Sequence, residues 1–260
     1  MDLGLKEKVI IVTGGSKGIS EGIVSLLAKE GALPVIIGRN KESILNVVAD
    51  YHKRGVEIGY AFAELTQPDE CEQAIKAILE KFGRIDGLVN NAGVNDGIGL
   101  ENGTYEGFME SIKRNLAHYY LITQLVLPEL KKTKGAIVNI GSKTADTGQG
   151  GTSGYAAANG GRNALTREWA LELLPFSIRV NCVVVAECYT PLYEKWINTF
   201  ENSEEKLKSI TEKIPLEQRM TTTIEIANTV AFLLSSRSSH TTGQLIYVDG
   251  GYTHLDRAIN

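Results

Sequence analysis

Short runs of valine and isoleucine recur along the chain. Longer stretches separate them, in which apolar residues return every three or four positions. The runs span 8–13, 33–37, 58–62, 85–90, 136–140, 178–185 and 244–248. Continuous runs of this length suit strands buried on both faces. Between the first six lie segments long enough for a crossover helix. This alternation predicts an α/β fold: a doubly wound, Rossmann-like parallel sheet of about seven strands with helices on both faces. Turn residues fall between elements, as at Glu30-Gly31 and Lys134-Gly135. No repeat or low-complexity linker breaks the rhythm, so residues 1–260 read as one domain. Residues 190–218 are the exception. They are charged, carry Trp196, Phe200 and two prolines, and lack a strand signal. They predict a small helical lid after strand six.

Composition narrows the function. The chain has 260 residues, 43% hydrophobic and 22% charged, as in an ordinary globular protein. A formal charge of −4 with no basic run argues against nucleic acid and anionic membrane as partners. No apolar stretch approaches the roughly 18 residues of a membrane helix, and Met1-Asp2-Leu3-Gly4 does not start a secretion signal. A cytoplasmic location is expected. Cys71, Cys182 and Cys188 are too scattered for a disulfide framework or a zinc site. They read as reduced core thiols, and no metal is expected.

The first predicted strand runs into Thr13-Gly14-Gly15-Ser16-Lys17-Gly18-Ile19-Ser20, and a helical pattern follows. Glycines at a strand-to-helix turn let the backbone approach a pyrophosphate, and the helix start offers unpaired N–H groups and partial positive charge. Gly14, Ser16, Lys17, Gly18 and Ile19 are therefore candidate dinucleotide contacts. The spacing is Thr-Gly-x-x-x-Gly-x-Ser, not Gly-x-Gly-x-x-Gly. It resembles the short-chain dehydrogenase/reductase superfamily, with Ser20 where that pattern ends in glycine.

Further motifs extend the resemblance along the chain: Asn90-Asn91-Ala92-Gly93, Asn115, Ser142, Tyr155, Thr190-Pro191 and Val248-Asp249-Gly250-Gly251. The loops 91–100, 142–144, 147–150, 186–187 with 190–193, and 251–257 also resemble bacterial L-fucose dehydrogenases, which oxidise the anomeric carbon of an aldose to a lactone. The resemblance implies Asn115, Ser142, Tyr155 and position 159 as the catalytic set. It implies Glu64, Leu65, Asn91, Ala92, Gly93, Tyr155, Asn159, Cys188 and Thr190 as cofactor contacts. It further implies a homotetramer and a small sugar as substrate. Ser142 and Tyr155 would hold the reacting oxygen, with Gln149, Glu187 and Trp196 as candidate sugar contacts.

One position departs sharply. The family has a lysine four residues after its tyrosine, and here stands Asn159. Oxidation needs a proton taken from the hydroxyl as hydride leaves its carbon. A free phenol, with a pKa near ~10, is a poor base at neutral pH unless a cation stabilises its phenolate. In the family the lysine supplies that cation, bonds the nicotinamide ribose and continues a proton path through a water held by the asparagine at 115. Asn159 can hydrogen-bond ribose but carries no charge, which predicts weakened or lost turnover. Two cations stand near in sequence, Lys143 and Arg162. The expectation is that Lys143 faces elsewhere and that Arg162 is a surface or subunit-contact residue.

Strand two ends Ile37-Gly38-Arg39-Asn40, without the acid that would bond an adenosine 2′-hydroxyl. Lys17 and Arg39 favour NADP, with NAD as the alternative. Two other functions fit the same fold: a non-catalytic dinucleotide-binding protein, and a reductase of a 3-oxoacyl thioester or keto sugar acid.

Overall fold

The computed structural model describes residues 2–255; the Asp256-Arg257 end of the C-terminal loop resemblance lies outside the described residues. Each Val/Ile run becomes a strand: β1 (Val9–Thr13), β2 (Leu33–Gly38), β3 (Gly59–Phe62), β4 (Gly87–Asn90), β5 (Ala136–Ser142), β6 (Arg179–Val185) and β7 (Leu245–Val248). They form one parallel sheet in the order β3-β2-β1-β4-β5-β6-β7. β1, β4 and β5 are buried along their whole length, as unbroken apolar runs require.

Helices cover both faces. On one, Ile23, Val24 and Leu27 of α1 (Ile19–Lys29), Ile44 of α2 (Lys41–Lys53), and Ile226 and Val230 of α9 (Thr223–Leu234) build one core cluster. On the other, Ile75 and Ile78 of α3 (Pro68–Phe82), Ile122 and Val126 of α5 (His118–Thr133), and Trp169 of α6 (Ser153–Glu172) build a second. Between α4 (Tyr105–Ile112) and α5, residues Lys113–Ala117 form a π turn, an irregularity that often marks functional sites. The 190–218 segment folds into α7 (Pro191–Ile197) and α8 (Ser203–Thr211). β5 runs to Ser142, two residues past its valine-isoleucine run, so the serine ends a strand.

A chain of amides and hydroxyls crosses the buried center. Asn90 Nδ2 donates to Thr123 Oγ1 and to Asn139 Oδ1, each at 3.1 Å. Asn139 Nδ2 donates to Thr166 Oγ1 at 3.0 Å, and Thr166 Oγ1 donates to the Arg162 carbonyl at 2.8 Å. Asn90, Asn139 and Thr166 are fully buried, so each lost partner exposes a desolvated group. The ladder ties β4 and β5 to the helix turn that carries Arg162. Asn139→Val is expected to cost about 1–3 kcal/mol in urea unfolding; a loss below roughly 0.5 kcal/mol would show that the ladder does not hold the sheet to α6.

Candidate cofactor cleft and active site

β1 and β4 are neighbors, yet the segments that follow them leave to opposite faces of the sheet. A cleft of about 1010 Å³ opens there, where a switch in strand order places ligands in open α/β sheets. Thr13 holds the two strand ends together. Its hydroxyl accepts from the main-chain N–H of Asn91 at 2.9 Å and of Ala92 at 3.1 Å. Gly14 and Gly18 both adopt left-handed φ, 73° and 64°, which only glycine takes without strain. Ser20, in place of the family's last glycine, donates to the Gly14 carbonyl at 2.6 Å and closes the loop on itself. The start of α1 has no side-chain cap, leaving N–H donors for an anion. An open cradle of this shape fits a dinucleotide.

Of the residues expected to contact cofactor, Gly14, Ser16, Lys17, Gly18, Ile19, Arg39, Glu64, Leu65, Asn91, Ala92, Gly93, Tyr155 and Thr190 line this cleft. Two do not. Cys188 is 5% exposed and packs into the core beneath α1 and α9; burial pushes its thiol up to about 12. Asn159 is fully buried. Its Nδ2 donates to the Tyr155 carbonyl at 2.9 Å and its Oδ1 accepts from Arg162 Nη1 at 3.0 Å. The amide is turned into the helix packing, away from any ribose in the cleft, because both ends already have partners there.

At the adenosine end Arg39 pairs with Glu64 at 2.8 Å. Partial burial pushes the Glu64 carboxyl up, but hydrogen bonds from Arg39 and Thr66 and the Arg39 charge outweigh it and hold it below its ordinary value. The sequence reading gave these two residues separate roles and missed that they meet.

At the other end β5 delivers Ser142, whose Oγ accepts from the Thr144 N–H at 3.3 Å and from its hydroxyl at 3.1 Å. The first turn of α6 delivers Tyr155 to the cleft wall. Asn115, in the π turn, accepts from Val94 N at 2.8 Å through its Oδ1. Arg162 also lines the cleft and is only 3% exposed. That corrects the expectation of a surface or subunit contact. The spacing held the clue: residue 162 lies two helical turns beyond Tyr155, on the same side of α6.

Next to Ser142, Lys143 is also buried. It forms an ion pair with Glu187 and lies 3.9 Å from the center of the Tyr252 ring. Glu187 follows β6 by two residues, and β6 pairs Val185 with Ser142, so sheet register brings Glu187 beside Lys143. The Tyr193 phenol is pushed above its ordinary range by burial, with the Glu187 charge adding to it. Trp196 is 44% exposed on α7, in an edge-on aromatic row between Tyr193 and Phe200. Gln149 lies in an exposed loop before α6.

The family model described as enoyl-(acyl carrier protein) reductase matches residues 14–253. A 3-oxoacyl-(acyl-carrier-protein) reductase from Thermotoga maritima is 33% identical over 95% of this chain and 98% of its own. An L-fucose dehydrogenase from Bos taurus is 31% identical over 94% of this chain and 88% of its own. The crystal structure of Cj0485 dehydrogenase superposes with a TM-score of 0.94 at 46% identity, covering 100% of this chain and 99% of that one.

One buried group in the cleft wall escaped the sequence reading. His118 is 2% exposed and its Nε2–H donates to the Arg114 carbonyl at 2.9 Å. Burial, reinforced by the Arg162 charge, lowers its pKa from 6.5 to about 4. Between those values the unfolded chain binds a proton that the folded chain does not, so stability rises with pH across that window and is lost as pH falls through it. This histidine is expected to remove about 3 kcal/mol of stability between pH 7 and pH 4. His118→Gln should flatten that part of the denaturation profile; an equally steep acid limb in the variant would assign it to other groups.

Proposed function

The chain belongs to the short-chain dehydrogenase/reductase superfamily, and from that premise we propose that it is a nicotinamide-dependent oxidoreductase that oxidises the anomeric carbon of an aldose such as L-fucose to a lactone. The observation that carries the sugar reading is the buried Lys143–Glu187 pair beside Ser142, with the Tyr193 and Tyr252 rings around it. A carboxylate, an ammonium and aromatic rings in one cluster match vicinal hydroxyls and the apolar face of a pyranose better than an acyl chain.

When bound, the nicotinamide supplies the two-electron hydride acceptor. The residues of the chain do the rest. Ser142 Oγ donates a hydrogen bond to the reacting oxygen, and Tyr155 takes its proton as the carbon–hydrogen bond breaks. The Thr13–Asn91 contacts keep the cleft floor in register, and Pro191, Leu192 and Lys195 of α7 line its rim. The expected weakening through Asn159 set Arg162 aside as a surface or subunit-contact residue. Arg162 places a cation one turn along, so impairment is not part of this proposal.

A second reading has its own support. The family model and the Thermotoga relative are carrier-protein reductases, which favors reduction of a 3-oxoacyl thioester. One assay separates the two. A panel of aldoses with NADP or NAD is expected to yield reduced cofactor with L-fucose or a stereochemically related sugar. Consumption of reduced cofactor with an acetoacetyl thioester, and no response to any aldose, would move the assignment to the second reading.

Within the sugar reading, Glu187→Ala should raise the aldose KM at least about tenfold, roughly 1.4 kcal/mol of lost binding. An unchanged KM would remove Glu187 from the substrate site. For the cofactor, Lys17 and Arg39 at the adenosine end support NADP, with Arg39 leaving Glu64 for the 2′-phosphate. Arg39→Asp is expected to shift the ratio of NADP to NAD affinities, measured by calorimetry, at least about tenfold toward NAD. A constant ratio would show that Arg39 does not read the phosphate.

A further inference from the structure

We propose that Arg162 is the positioning cation of this active site, supplying from one turn further along α6 the charge that the family's lysine would place at position 159. The inference rests on the oxidoreductase reading, in which Tyr155 accepts the substrate proton.

Arg162 is a buried charge, and among the described residues no carboxylate forms an ion pair with it. Burying an unpaired cation costs several kcal/mol, so a residue that only filled the α6 packing would do better without charge. The hydrogen-bonding geometry is nonetheless well satisfied. Nε and Nη2 donate to the Asn115 carbonyl at 2.8 and 2.5 Å, and Nη1 donates to the Ile140 carbonyl at 3.0 Å and to Asn159 Oδ1 at 3.0 Å. These acceptors are neutral. They fix the plane of the guanidinium and leave its charge uncancelled.

The charge faces the tyrosine. The guanidinium carbon lies 6.0 Å from the center of the Tyr155 ring and 4.3 Å from that of Tyr119. Its Nη2 reaches the cleft wall at Gly93, where an added Cβ would fall 2.8 Å from it. The titratable groups packed around this cation are His118 and Tyr119 of α5 and Cys182 of β6. Burial keeps all three neutral at pH 7: it holds His118 near 4, pushes Tyr119 well above its ordinary range and pushes Cys182 to about 12. None of them offsets Arg162.

Asn159 then has a positive role. An ammonium at 159 would lie against the guanidinium as a like charge. An amide there accepts from Arg162 and donates to Tyr155's own carbonyl, joining the two residues across one turn. Asn115, the residue that the family resemblance expects to hold a water, is met directly at its carbonyl by Arg162.

Five proteins test this: the chain itself, Arg162→Met, Asn159→Lys, the exchange Asn159→Lys/Arg162→Met, and Tyr155→Phe as the titration reference. Arg162→Met is expected to lower kcat at neutral pH at least about a hundredfold and to shift the pH profile of kcat to the alkaline side. Asn159→Lys alone is expected to lower the melting temperature and to leave kcat without gain. The exchange protein is expected to recover kcat to within about tenfold of the parent, with its pH profile. A second readout needs no turnover. The ionisation step that Tyr155→Phe removes from the near-ultraviolet titration should move to higher pH in Arg162→Met and return in the exchange protein. The inference is overturned if Arg162→Met keeps the parent's pH profile and titration step, or if Asn159→Lys raises kcat a hundredfold with Arg162 in place. If Arg162→Met does not fold, the Asn159→Lys and exchange proteins decide. A titration step that moves in a chain that turns over no aldose would sink the substrate reading and leave the cation standing.

Discussion

Two neighboring parallel strands, β1 and β4, feed segments that leave to opposite faces of the sheet, and the cleft exists because the chain cannot fill the gap between them. The gap has to be held at a fixed width, and a single hydroxyl does much of that. Thr13 Oγ1 accepts two N–H groups from the first residues after β4. On one side of this join the glycine loop turns into α1; on the other the 91–93 strip runs under Asn115 Oδ1 and Arg162. Residues far apart in the sequence therefore share one floor, and a small shift at Thr13 would be felt at both ends of the cleft.

The fold was legible because a parallel sheet buried on both faces writes itself as unbroken Val/Ile runs. β1 and β2 fall where their runs predict. The cofactor half was legible for a related reason. Glycine at 14 and 18 answers a backbone requirement that no other residue meets cheaply, so position and role coincide. The π turn at 113–117 left no mark, since its residues carry ordinary helix propensity.

The reaction end was harder to read. Motif spacing reports whether a residue type occupies a position; it does not report whether a neighbor one turn away carries the same charge into the same space. Asn159 read as a loss because Arg162 was placed at the surface, whereas it is buried. In the folded chain Asn159 and Arg162 are one unit, each satisfying the other's hydrogen bonds. The Lys143–Glu187 pair was missed similarly: its members follow separate strands, and only the β5–β6 register brings them together.

A guanidinium differs from an ammonium in one respect that reaches beyond geometry. It does not give up its proton in a protein. A site whose cation is Arg162 has a field that stays on through alkaline conditions, but it has no group at that point able to hand a proton onward. Charge support and proton conduction, which one lysine can combine, become separate functions. On the proposed chemistry, the proton that Tyr155 collects would return to water through the mouth of the cleft, past Pro191, Leu192 and Lys195 of α7. Access of water past that rim would then bear on how quickly the tyrosine is reset between turnovers.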